Sequence, residues 1–173
     1  EIQDRNNRRY HYFFNSCGSC GPRATVISAL PYERSATAWR DFPPCADCAA
    51  EYRTPEARRF EIESVSCPAC GPVLRFLEPD GSERSAGEAA LMEAARRLDA
   101  GEIIALKGVG GFQLLADCRN RVTLERLRRL KKRPAQPLAL LARDLAAVKQ
   151  RTAMIPEEEA LLVSPEAPIV LLK

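Results

Sequence analysis

Apolar residues are distributed unevenly along this chain. From about residue 82 they gather into short, regularly spaced runs, whereas before it they are scattered among Arg, Glu, Pro and Cys. SAGEAALMEAARRLDAG (85–101) places Leu91, Ala94, Ala95 and Leu98 on one helical face, with Ser85 and Glu88 expected as a capping box and Gly101 as the stop. EIIALK (102–107) predicts a short strand, GVGG (108–111) a glycine loop and FQLLA (112–116) a further extended segment. Asn120 is placed to cap a helix carrying Leu124, Leu127 and Leu130 that ends in KKRP. LALLA (138–142) reads as a buried strand, Asp144 starts a short helix, PEEEALLV (156–163) another, and APIVLLK (167–173) a last strand. Apolar strands separated by helices predict an α/β domain with a mixed sheet over 83–173.

The first half follows a different rule. Shifted against itself by fifty residues, RRYHYFFNSCGSCGP (8–22) falls on RRFEIESVSCPACGP (58–72), with the arginine pair, the aromatic, the serine, the Cys-x-x-Cys and the Gly-Pro coinciding. Cys45, Cys48, Cys67 and Cys70 form C-x2-C-x18-C-x2-C, the spacing of a four-thiolate zinc site; iron–sulfur ligation is the main competing metal chemistry. Such a site has every position filled by protein, so its zinc is expected to be structural. The finger is poor in aliphatic residues, and metal binding of ~10–16 kcal/mol would supply folding energy that its core cannot. Cys17 and Cys20 have no partner pair upstream, and the chain begins at Glu1 rather than Met. It therefore reads as a segment of a longer protein: 1–22 is the second half of a truncated first finger, 23–44 a linker, and 45–72 a complete finger.

Composition changes this picture little. With 46% apolar and 28% charged residues and a net charge of +3, the 173 residues are those of an ordinary globular chain. No apolar run approaches the ~18 residues of a membrane span and no export signal opens the chain, so a cytoplasmic protein without a membrane partner is expected. Arg8, Arg9, Arg58 and Arg59 suit either a polyanion or the finger's own packing. His11 stands where the second repeat has Glu61, which argues against a metal role. KGVGG can turn backbone amides towards a phosphate or simply join two strands, since it matches neither the Walker nor the dinucleotide pattern. In RLRRLKKRPAQP (126–137), Lys131 and Arg133 either reach a nucleotide phosphate or join a solvated basic face to which Arg128 is assigned.

Together, the doubled finger with CGPR, PYER, EYRTP and RRF, then IALKGVGGFQLLADC and LKKRPAQPLAL, resembles the HypF family, carbamoyltransferases of [NiFe]-hydrogenase maturation. The resemblance covers essentially the whole chain and implies a small zinc-finger module followed by the N-terminal part of a YrdC-like α/β domain. It implies that the complete enzyme takes carbamate from carbamoyl phosphate, joins it to AMP from ATP with Mg2+, and passes the carbamoyl group to the C-terminal cysteine of HypE for the cyanide ligands. Lys131 and Arg133 match the family's K-x-R motif, and Lys107 with Gly108, Gly110 and Gly111 matches its KGxGG segment, both implied to line the nucleotide and carbamoyl pocket. No residue is singled out as catalytic, and the segment alone is expected to lack turnover. The family usually has histidine at Gln113 and Glu61, alanine at Cys118 and lysine at Gln136; Cys118 is expected as a small core residue. Two other readings stay open: a zinc-ribbon-like module binding RNA, and a relative of threonylcarbamoyl-adenylate synthase.

Overall fold

The computed structural model describes residues 1–22, 24–164 and 166–173. Arg23, the last residue of the CGPR match, and Pro165, within the expected second domain, lie outside the described residues. The chain divides into two compact units, Glu1–Thr123 and Leu124–Lys173.

In the first unit the cysteine-rich half is built mainly from turns. Its regular helix, α1 (Ala46–Arg53), starts directly after Cys45, whose extended backbone (ψ 169°) forms the N-cap, and ends at Thr54. The repeat is visible in the backbone: His11 and Glu61, fifty residues apart, both adopt left-handed conformations, with φ of 54° and 53°. Each Gly-Pro glycine lies under the serine that precedes its Cys-x-x-Cys. A Cβ on Gly21 would meet Ser16 Cβ at 2.4 Å, and one on Gly71 would meet Ser66 Cβ at 2.6 Å. The Gly71 amide donates to the Cys67 carbonyl at 2.8 Å, so crowding at this turn is enough to demand glycine.

The stretch expected as a linker is a folded part of this half, a correction to the sequence reading. Val26, Thr37 and Trp39 are buried, and a β-bridge joins Ile27 to Thr37. Trp39 Nε1 donates to Ser66 Oγ at 3.4 Å. Arg34 donates to the main-chain oxygens of Phe42, Glu63 and Val65 at 3.1, 2.6 and 3.0 Å. A half-buried guanidinium that satisfies three carbonyls holds the stretch against the second finger at charge-assisted strength.

Strand β1 (Arg75–Leu77) pairs antiparallel with β2 (Glu83–Ala86), and helix α2 (Glu88–Asp99) follows. The expected capping box is absent. Ser85 lies in β2 opposite Phe76, its buried hydroxyl has no hydrogen-bond partner, and Gly87 at φ 61° occupies the N-cap instead. Strand pairing has drawn the serine away from the helix end. Strands β3 (Ile104–Gly108) and β4 (Gly111–Leu115) form a hairpin in full register from Ile104–Leu115 to Gly108–Gly111. Asn120 caps α3 (Arg121–Leu130) as expected, accepting from Thr123 N at 3.1 Å. Thus the fold class holds, a cysteine cluster beside a small α/β domain, but among the described residues its sheets are two antiparallel pairs rather than a mixed sheet.

In the second unit, Asp144 caps α4 (Leu145–Lys149) through Ala147 N at 2.8 Å. Glu158 accepts from Ile155 N at 3.0 Å at the start of α5 (Pro156–Leu162). The strands expected at LALLA and APIVLLK do not form. Leu140, Leu141, Ile169 and Leu171 stand largely exposed, and among the described residues no strand pairs with either run. Apolar composition favours a strand only where a neighbour supplies the ladder.

Gly71→Ala should destabilise the fold by about 1–3 kcal/mol, because its methyl would also lie 2.0 Å from Tyr12 Oη. Gly110→Ala, with nothing within 4 Å, should stay within about 0.5 kcal/mol. Denaturant unfolding of the two variants gives the comparison.

Candidate functional site

The cysteines of the second repeat come from two small devices. Cys45 and Cys48 sit at the start of α1; Cys67 and Cys70 flank a tight turn closed by Cys70 N to Cys67 O at 3.1 Å. Their sulfurs approach at 3.7 Å (Cys45–Cys67), 3.8 Å (Cys67–Cys70) and 3.7 Å (Cys48–Cys70), and all four lie within 4.8 Å of one another. A tetrahedron with metal–sulfur bonds of ~2.3 Å has edges of about 3.8 Å, whereas a disulfide needs ~2.05 Å. The spacing fits a metal enclosed by four thiolates.

The surroundings agree with that chemistry. Cys48 and Cys67 are buried beside Val65, with Tyr52 against them, so the thiols themselves make up most of this small core. Burial pushes the Cys48 thiol up to about 12, while the backbone N–H of Cys48 helps bring Cys45 down to about 7. Four crowded sulfurs ionise together only around a cation, and a coordinating metal deprotonates them outright.

The arginines of each repeat face the other repeat. Arg9, 2% exposed, donates Nε to Ser66 O at 2.8 Å and both terminal nitrogens to Glu51 at 3.1 and 2.7 Å. Arg59 repeats the pattern fifty residues on, donating Nε to Ser16 O at 2.7 Å, and it pairs with Glu1 and with Asn15 Oδ1. The Arg59 bond holds the Glu1 carboxyl down at about 2. Arg9 and Arg59 are therefore committed internally, which removes them from the polyanion surface considered above. Sequence reasoning missed Glu51 as their partner, although its fifty-residue match to Glu1 was the available signal.

Cys17 and Cys20 lie 3.4 Å apart at their sulfurs, and Gly18 N donates to Arg58 O at 3.1 Å. His11 stacks on Tyr10, with centroids 3.8 Å apart, and its Nδ1 lies 2.9 Å from Glu88 Oε1. Cys118 is exposed, contrary to the core position expected for it. It falls in the turn after β4, where Asp117 pairs with Arg119 at 2.9 Å.

KGVGG is the turn of the β3–β4 hairpin, with Gly108 and Gly111 as its last pair and Gly111 at φ 131°. Lys107 is exposed on this hairpin, its ammonium 5.2 Å from the centroid of the Phe112 ring. In the second unit, Lys131 and Arg133 are exposed just beyond α3. Arg128 is not the solvated residue expected: its Nη1 donates to the carbonyls of Arg133 and Gln136 at 3.1 and 2.8 Å. A shallow cavity of about 480 Å3 on this unit is lined by Glu125, Arg128, Arg129, Lys132 and Pro134 rather than by the K-x-R pair.

Comparison with known proteins returns two family matches. The HypF finger matches residues 1–27 and 45–77, and the Sua5/YciO/YrdC family, described as "Telomere recombination", matches 96–173. The chain is 46% identical over 167 residues to carbamoyltransferase HypF of Rhodobacter capsulatus, covering 95% of this chain and 22% of that protein. It is 39% identical over 174 residues to a probable carbamoyltransferase HypF of Methanocaldococcus jannaschii, covering 100% and 22%. A full-length HypF crystal structure in the phosphate- and nucleotide-bound form superposes with TM-score 0.87 at 39% identity, over 99% of this chain and 22% of that one. T. kodakarensis HypF superposes with TM-score 0.86 at 40% identity, over 95% and 21%. The chain thus spans about a fifth of the length of these relatives. No helix of the described residues is long and apolar enough to cross a membrane.

Metal analysis after exhaustive dialysis should find zinc retained by the wild-type chain and lost from Cys67→Ala. Full retention in that variant would remove Cys67 from the ligand set.

Proposed function

The chain belongs with the HypF carbamoyltransferases over the fifth of their length that it spans, and from that premise we propose that it serves as the zinc-finger and carbamoyl-adenylation segment of such an enzyme. The observation that carries this reading is the match over almost the whole chain, in sequence and in fold, to full-length HypF. Zinc held by Cys45, Cys48, Cys67 and Cys70 would maintain the finger; with four thiolates around it, no position is left for a reactive water. Cys17 and Cys20 would supply two ligands to a second site of the same kind.

In the complete enzyme, a carbamate oxygen attacks the α-phosphorus of ATP, carbamoyl-AMP forms and pyrophosphate leaves with Mg2+. The carbamoyl group then passes to the C-terminal thiol of HypE and AMP is released. Adenylation concentrates negative charge on phosphate oxygens, which fixed cations stabilise without reorganising. Lys131 and Arg133 are the residues proposed for that task. Lys107 and the backbone of Gly108, Gly110 and Gly111 are proposed to contact the nucleotide or carbamoyl group from the hairpin turn. Lys107, Lys131 and Arg133 are exposed, which leaves their cations open to a ligand and supports the reading. The protein is proposed to act in the cytoplasm, where HypE is its partner.

In the full-length protein, Lys131→Ala and Arg133→Ala should each slow carbamoyl-phosphate-dependent ATP–pyrophosphate exchange by two to three decades, about 2–4 kcal/mol. Hydrolysis of carbamoyl phosphate should persist. Arg126→Ala, on the exposed side of α3, should leave exchange intact. Exchange at the wild-type rate in both first variants would return these cations to a solvated surface. Dependence of adenylation on threonine would place the enzyme with the threonylcarbamoyl-adenylate synthases instead.

A further inference from the structure

Cys48 is the most enclosed of the four thiols, with no exposed surface, and two guanidiniums from the other repeat reach it. Arg8 Nη2 lies 3.3 Å from its sulfur and Arg9 Nη2 lies 3.6 Å away. Glu51, one turn further along α1 and therefore on the same face, holds both arginines there. It accepts from Arg8 Nη2 at 2.7 Å and from Arg9 Nη2 at 2.7 Å. The Nε of Arg9 donates to the main-chain oxygen of Ser66, the residue just before Cys67.

We propose that Arg8 and Arg9 form an outer shell to the metal centre of the second repeat, so that this centre is completed by residues outside its own finger. This inference rests on the zinc reading above. A divalent ion with four thiolates carries a net charge of −2, and in a site without water that charge needs partners. N–H donors aimed at a bound thiolate withdraw electron density from it, which lowers its basicity and its reactivity towards electrophiles. Groups that hydrogen-bond to a ligand in this way typically contribute 10- to 100-fold to metal affinity. The arrangement also separates the four ligands chemically. Cys48 receives two cationic donors, whereas among the described residues no arginine bonds to Cys45.

Cobalt(II) in place of zinc provides a readout that packing alone does not move. Arg8→Ala is the gentler variant, because the Arg8 side chain is 30% exposed and bonds to Glu51 and Cys48. Arg9→Lys keeps the charge and loses the fork. Both should bind cobalt about ten-fold more weakly, shift the sulfur-to-cobalt charge-transfer band to longer wavelength, and speed alkylation of the metal-bound thiolates. Arg40→Ala, whose partner is the exposed Asp41, should change none of the three. If the wild-type protein bound no cobalt or zinc, the metal reading would fall and this inference with it. If the wild type bound cobalt but both variants kept its affinity, band and alkylation rate, the outer-shell role would be overturned while the metal reading stood. A loss of thermal stability alone, with the band unmoved, would likewise leave the arginines a purely structural part.

Discussion

A guanidinium carries five N–H groups and a full charge, and burying it without partners costs several kcal/mol. Among the described residues two are buried this far, Arg9 and Arg59, to 2% and 3% exposure. Each is satisfied by the other repeat: Arg9 by Ser66 O, and Arg59 by Ser16 O. The acids obey the same exchange, with Glu51 on Arg9 and Glu1 on Arg59. The serines complete it, since Ser66 Oγ donates to Phe14 O at 3.1 Å while Ser16 Oγ lies 2.8 Å from Ser64 Oγ. The cysteine turns, the glycines pressed beneath the serines and the packing of Trp39 all depend on this crossed pair. The cysteine-rich half has few aliphatic side chains to do the work, and polar bonds of charge-assisted strength take their place.

Other parts of the fold and of the thiol site are legible in the sequence, for identifiable reasons. The thiol cluster follows from spacing alone, because two Cys-x-x-Cys turns can present sulfurs to one ion wherever the intervening eighteen residues fold back. Helix caps at Asn120 and Asp144 were readable because a cap is a local device. Ser85 departs from its expected capping role because β1 pairing competes for the same residues, and Gly87 can adopt the backbone that the helix start requires. LALLA and APIVLLK form no strands because a strand is a property of a pair, and composition describes one partner.

The arginines were the hardest part to read. Arg8, Arg9, Arg34, Arg59 and Arg128 are one residue type in similarly polar surroundings, yet all five bond within the chain. Arg34 binds three carbonyls and turns an expected linker into part of the finger. Arg128 braces the loop that carries Lys131 and Arg133 by binding the carbonyls of Arg133 and Gln136. Acceptors of this kind are main-chain carbonyls, some nearby and some far along the chain, and periodicity does not reveal them.

The two repeats are not interchangeable, however closely their letters agree. Gly18 donates its amide to Arg58 O, but its counterpart in the second repeat is Pro68, which has no N–H to return to Arg8. The symmetry is broken at this bond, and Arg8 instead joins Arg9 on the Cys48 sulfur. The pair thus resembles a heterodimer written on one strand of peptide. Each copy has specialised against the other, and a recombination event that replaced one alone would meet the wrong partner.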